Sequence, residues 1–200
     1  MTEEIGTAII VPDLEDGVVL LRPLRDEDAV TREALGRDPE IHRLMGWDGS
    51  GGNPPFTAED AAEWMEQQRK SPHCWAITLA TSPDRLLGSV RLMGVNDDLA
   101  PGRRTGNLGI GLLDPAALDR GLGMRAMRLI LAHAFGPLGL HRVGLRVLAF
   151  NARGIHCYEK LGFQVEGRER EAYSLLGLWH DNLVMGLLAP EYFARKGQAD

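Results

Sequence analysis

A glycine-centred turn, Arg120-Gly121-Leu122-Gly123, stands between an apolar run at residues 108–113 and a stretch in which Met124, Met127, Leu131, Ala134 and Phe135 recur at helical spacing. This succession of strand, glycine turn and amphipathic helix constrains the fold more than any other feature. The helix must lay its apolar stripe on the sheet to which the preceding strand belongs. Gly136-Pro137 ends the helix. Elsewhere, Val18-Val19-Leu20-Leu21 reads as a strand, and residues 75–79 and 86–92 read as a hairpin across Ser82-Pro83-Asp84-Arg85. Residues 143–148, Val165 and residues 183–188 supply later strands. Asp26 is placed to cap a helix running toward Gly36, and Asn151 one reaching Leu161-Gly162-Phe163. Thr57-Ala58-Glu59-Asp60 has the outline of a capping box, and the helix after it carries Ala61, Trp64, Met65 and Gln68 on one side before Ser71-Pro72. There is no internal repeat or low-complexity segment, so the pattern predicts one α+β domain over residues 18–190, with an extension at 1–17 and a tail at 191–200.

Two hundred residues suffice for one core without disulfides or metal. Cys74 and Cys157 form no Cys-x-x-Cys pair, which disfavours structural zinc, iron–sulfur chemistry and a disulfide scaffold. No run nears the roughly 20 apolar residues of a membrane helix. Two glutamates stand where a secretory signal carries basic residues, so the expected location is the cytoplasm. The net charge of −6 speaks against nucleic acid as the main partner. Residues 96–153 nevertheless hold eight arginines against four aspartates, and the remainder carries −10. A local arginine excess suits a small polyanion, and a solvated basic face is the alternative reading.

Gly121-Leu122-Gly123-Met124-Arg125-Ala126 fits the dinucleotide pattern G-x-G-x-x-A. Residues 114–120 intervene after the strand, however, and no acidic residue stands at a strand end about 20 residues on to hold a ribose. A nicotinamide-dependent enzyme is therefore the weaker reading, and without Gly-Lys-Ser/Thr the phosphate loop of nucleoside triphosphatases is excluded. What remains is a helix N-terminus whose free N–H groups and dipole favour an anion, flanked by Arg120 and Arg125. Pyrophosphate is the natural occupant. An ordinary glycine-containing helix start is the alternative for this segment taken alone.

Leu108-Gly109-Ile110-Gly111-Leu112-Leu113-Asp114-Pro115 followed by Arg120-Gly121-Leu122-Gly123 resembles the cofactor motif of the GNAT superfamily of acyl-CoA-dependent N-acetyltransferases. His141-Arg142-Val143 through Asn151, then Tyr158-Glu159-Lys160-Leu161-Gly162-Phe163, resembles its second block. Leu21-Arg22-Pro23-Leu24, Glu166-Gly167-Arg168 and Gly177-Leu178-Trp179-His180-Asp181 resemble the branch containing ribosomal-protein N-terminal acetyltransferases.

The resemblance implies a mixed, mostly antiparallel sheet of about seven strands with a splayed central pair, about four helices, and frequently a homodimer. It implies acetyl-CoA as co-substrate, with Leu112 and Leu113 pairing to the pantetheine arm and Arg120, Gly121, Leu122, Gly123, Met124 and Arg125 around the pyrophosphate. Tyr158 would donate a proton to the leaving thiolate, and Asn151 would bond the cofactor or orient the site. Trp47 and Asp48 would meet a cationic amine acceptor, a protein N-terminus or a small amine. Trp64 and Phe56 read as packing.

Two positions depart from the pattern. Arg125 replaces a small residue. Asn107 stands where relatives carry a glutamate, so a water relay replaces the usual base; His73, His141 and Asp114 read as structural. Asn107 also leaves open a non-catalytic acyl-CoA-binding domain, and the sequence leaves open another acyl group such as succinyl or propionyl.

Overall fold

The computed structural model describes residues 11–46 and 55–197. Among these residues eight strands form one open sheet: β1 (Leu14–Glu15), β2 (Val19–Pro23), β3 (His73–Leu79), β4 (Gly88–Met93), β5 (Arg104–Leu112), β6 (Leu140–Leu148), β7 (Gln164–Leu175) and β8 (Leu178–Leu188). Their spatial order is β1-β2-β3-β4-β5-β6-β8-β7. Every pairing is antiparallel except β5 with β6. That parallel step follows from the helix between them, because a helical crossover returns the chain in the same direction. Among the described residues six α-helices accompany the sheet: α1 (Asp28–Leu35), α2 (Pro39–Leu44), α3 (Ala58–Arg69), α4 (Leu122–Phe135), α5 (Ala152–Leu161) and α6 (Ala189–Lys196).

Side-chain alternation along the strands divides the core between two faces. Trp75 and Ile77 of β3, Leu108 of β5 and Val143 and Leu145 of β6 meet Leu122, Ala126, Met127, Ile130, Leu131, Ala134 and Phe135 of α4. Ala76 and Leu113 point the other way, toward Trp64 and Met65 of α3. Trp64 is thus core, as read. The capping box of α3 is present, with the Asp60 N–H donating to Thr57 Oγ1 at 3.2 Å and the Thr57 N–H donating to the Asp60 carboxylate at 2.9 Å.

Several expectations change. Asp26 does not cap α1; it pairs with Arg69, and Asp28 instead folds back to accept the Arg25 N–H at 2.8 Å. The reason is a buried partner: Asp28 and Arg22, each 1% exposed, form a two-pronged ion pair at 2.6 and 2.8 Å. Part of the stretch set apart as an extension joins the fold: Val11 is buried, β1 pairs with β2, and the Trp75 indole donates to Pro12 O at 2.8 Å. Val165 belongs to a long β7–β8 hairpin rather than to a short strand. The helices α2 and α6 have no counterpart in the sequence reading.

Candidate active site

The β5–β6 pairing runs only from Arg104 opposite Leu140 to Asn107 opposite Gly144. Beyond it β5 stays with β4 while β6 stays with β8, and the two strands part. The gap opens into a cleft of about 660 Å³ walled by residues 108–112 of β5 and Arg146, Val147 and Leu148 of β6. Its edges carry unpaired main chain. The Leu113 N–H donates to Leu87 O at 2.7 Å, so by the two-residue repeat of an antiparallel ladder the main-chain groups of Leu112, Ile110 and Leu108 face the gap. Similarly, Ala149 N–H donates to Asp181 O at 2.9 Å, which turns the groups of Leu148 and Arg146 inward. An extended chain bearing amides fits between them as an added strand.

At the mouth of the gap stands the start of α4. Gly121 is its N-cap at φ 72°, ψ 5°, a left-handed conformation that costs a residue with a Cβ about 1–2 kcal/mol. No side chain caps this helix. Gly121 O accepts the Arg125 N–H at 3.1 Å, which leaves the N–H groups of Leu122, Gly123 and Met124 without partners inside the helix. All three residues line the cleft, so these donors and the helix dipole form an anion cradle.

The remaining expected residues are placed as follows. Leu112 lines the gap, but Leu113 does not; it is buried against the α3 face, with its N–H already engaged. Arg125 turns away from the cradle to pair with Asp16 at 2.8 Å, which explains how a long side chain is tolerated there. Arg120 is solvent-exposed and outside the lining. Trp47 and Asp48 lie outside the described residues. Phe56 lies under the Arg32 guanidinium, 3.6 Å from its ring centre, which bears out a packing role.

Polar side chains that the sequence reading missed lie on α5. Arg153, His156 and Lys160 line the cleft, and Arg153 pairs with Asp119 at 3.2 Å. Their i, i+3, i+7 spacing behind a capping asparagine was the available signal.

Tyr158, on the same helix, lines the cleft and packs its ring edge against Phe163, 6.0 Å between centres. Burial, with a small push from the neighbouring Cys157, moves its phenol up to about 12, so it keeps its proton at neutral pH. Asn151 caps α5, its Oδ1 accepting the Gly154 N–H at 2.9 Å, and its Nδ2 donates to Leu44 O at 3.3 Å. One amide thus ties the end of α2 across the cleft to α5 and still keeps one N–H and one lone pair.

Asn107 is exposed where the strands part, opposite Gly144. The other candidate bases are engaged or distant. Asp114 caps the short 3-10 turn Pro115–Ala117 through the Ala116 N–H at 2.8 Å and pairs with Arg85 at 2.7 Å. His73 is buried beside Asp97 at 2.9 Å, and His141 is exposed outside the lining. Asp181 accepts from Arg168 and from the Glu171 N–H, both at 2.9 Å, which is a structural role in the β7–β8 hairpin.

A sheet whose parallel strands separate to expose main chain, with a helix N-terminus at the mouth, defines a class of protein that grips an extended, amide-bearing chain ending in phosphates. Acyl-CoA has that chemistry. The profile of the acetyltransferase (GNAT) domain matches residues 19–164. The chain is 31% identical over 129 residues to Probable N-acetyltransferase YjcK of Bacillus subtilis, covering 64% of this chain and 69% of that protein. It is 31% identical over 83 residues to spermidine N(1)-acetyltransferase of Escherichia coli K12, covering 42% and 45%. A GCN5-related N-acetyltransferase from Brucella melitensis superposes with a TM-score of 0.75 at 22% identity, covering 93% of this chain and 82% of that one. Spermidine N-acetyltransferase from Vibrio cholerae, solved with CoA and spermine, gives 0.71 at 22%, covering 89% and 99%. The chain belongs to the GNAT acetyltransferase family, and is an acyl-CoA-dependent N-acyltransferase with acetyl-CoA as co-substrate. These relatives do not carry the finer placement among ribosomal-protein N-terminal acetyltransferases. Among the described residues no helix is long and apolar enough to cross a membrane.

Proposed function

We propose that this protein transfers acetyl to a primary amine by direct attack, with Tyr158 as proton donor to the departing sulfur. The observation that carries the reading is the parted β5–β6 pair with the α4 N-terminus at its mouth. Bound acetyl-CoA supplies a thioester carbonyl open to an amine. The chain's own contributions are positional. Main-chain groups of Ile110, Leu112, Arg146 and Leu148 hold an extended arm, and the N–H groups of residues 122–124 with Arg153 and Lys160 hold the phosphates. Tyr158 lines the cleft with its phenol protonated at neutral pH, and Oη is the group that passes a proton to the departing thiolate. The amine loses its proton to water, since Asn107, the residue at the parting point, is a neutral amide.

The acceptor end of the cleft is formed by Ile41, Leu44, Met45 and Gly46 of the α2 segment, with Tyr173 and Asn182 from the β7–β8 hairpin. The acidic balance of the chain outside residues 96–153 favours a cationic amine. Both a small polyamine, as in the names of two relatives, and a peptide N-terminus meet that description.

The test mixes the protein with acetyl-CoA and panels of polyamines, aminoglycoside-like amines and short peptides with free N-termini, and follows release of free thiol. Amine-dependent release supports the reading, and its loss in Tyr158→Phe supports the proton donor. CoA binding without amine-dependent release on any panel would overturn the reading that these amine classes are the acceptors.

A further inference from the structure

The parted segment of β5 carries two glycines, Gly109 and Gly111, whose α-carbons share one sheet face while Leu108, Ile110 and Leu112 turn to the α4 side. On that bare face β5 is covered at two points. Met93 Cε lies 3.2 Å and Arg91 Nε 3.4 Å from where a Cβ on Gly109 would stand. Over Gly111 lies Met45: an added Cβ would overlap its terminal methyl outright and approach its sulfur to 3.3 Å. Gly111 is therefore glycine because Met45 occupies the space of its side chain, directly beside the gap.

Met45 is held there from both sides. Leu44 O accepts from Asn151 Nδ2 at 3.3 Å, and the backbone of Gly46 is pressed against the Tyr173 ring, where an added Cβ would come to 3.0 Å of Cε1. Its side chain also packs on the cluster of Trp64, Met65 and Leu113. A thioether anchored in this way is a wall of the cleft on the face that the α2 segment covers.

We infer that Met45, seated on Gly111, is the wall against which the acyl group ends, and so sets the acyl-chain length this enzyme accepts. This rests on reading the gap as the acyl-CoA site. An acetyl methyl meets the wall, whereas each further methylene must displace it. Selectivity is then moderate, because methionine is flexible and can yield; hydrophobic pockets discriminate by about 10–200-fold per methylene.

The experiment titrates CoA, acetyl-CoA, propionyl-CoA and butyryl-CoA into wild type, Met45→Ala and Met45→Leu by calorimetry, which needs no acceptor. In wild type, butyryl-CoA should bind at least about 10-fold more weakly than acetyl-CoA. Met45→Ala should bring the two within about threefold, while free CoA binds all three proteins alike and Met45→Leu keeps the wild-type ratio. If CoA and acetyl-CoA bind but Met45→Ala leaves the butyryl-to-acetyl ratio unchanged, the assignment of Met45 is overturned and the acyl-CoA site stands. If no form of CoA binds wild type, the site reading falls and Met45 with it. Should Met45→Ala not fold, Gly111→Ala gives an independent reading. Its Cβ must push the Met45 methyl aside, so it should alter the ratio of acetyl-CoA to free CoA binding, and an unaltered ratio would refute the wall.

Discussion

Replacing Gly123 with tryptophan separates cofactor binding from folding. Gly123 lies in the first turn of α4, its N–H is one of the three free donors, and it lines the cleft. A Cβ there would stand 3.6 Å from Leu112 Cδ1, an ordinary contact, so the substitution begins without a clash and directs the indole toward the gap. The backbone is helical, where glycine is less favourable than other residues by up to about 1 kcal/mol, so Gly123→Trp should change unfolding free energy by no more than about 1 kcal/mol. Binding responds differently. Hydrogen bonds to charged groups contribute about 1.5–3 kcal/mol each, and an indole over the cradle removes access to at least two of the three donors. The expected loss is roughly 3–6 kcal/mol, or about 10²–10⁴-fold in Kd for CoA. Calorimetric titration with CoA, beside urea unfolding of the same sample, reads both quantities. A folded Gly123→Trp protein binding CoA within threefold of wild type would refute the cradle.

Tyr158→Phe should leave CoA affinity intact and lower kcat by on the order of 10²–10⁴-fold, measured by thiol release. Because the phenol is held up at about 12, no loss of rate from its ionisation should appear below about pH 11. Asp28→Ala strands the buried Arg22 guanidinium and should destabilise the fold by about 3–5 kcal/mol in urea titrations, with Arg22→Met/Asp28→Leu recovering a substantial part. His42 is held down at about 4, first by burial and then by the charges of Arg32 and Arg37, against an ordinary 6.5. The unfolded chain therefore takes up a proton that the folded chain refuses, and stability should fall as pH drops from about 6.5 toward 4. The urea midpoint of His42→Gln should depend less on pH across that window, and an unchanged slope would exclude His42 as its source.

Much of the scaffold is written locally. Thr57 and Asp60 specify the start of α3, Asn151 the start of α5, and the spacing of Met127, Leu131, Ala134 and Phe135 the buried face of α4. Each feature acts within one or two turns of helix, so neighbouring residues suffice to decide it. Gly121 is the clearest case: the left-handed cap before the free donors of residues 122–124 is a conformation that glycine adopts without strain.

The cleft itself depends on which strand each strand chooses beyond residue 107. The chain of β5 reads the same whether it is paired on both sides or on one; beyond residue 107 β5 keeps β4 and β6 keeps β8, while the edges they turn toward each other go unpaired. Long-range partners likewise turn Arg125 out to Asp16, engage the Leu113 N–H on Leu87 O, and bring Met45 onto Gly111 at the end of α2, a helix whose start Asp38 and Pro39 mark but whose packing they do not decide. Periodicity and capping determined α3, α4 and α5, the glycine turn and where most strands fall along the chain. Tertiary pairing decided which main-chain groups stay free, because a hydrogen bond to a distant strand leaves no mark on the residues beside it.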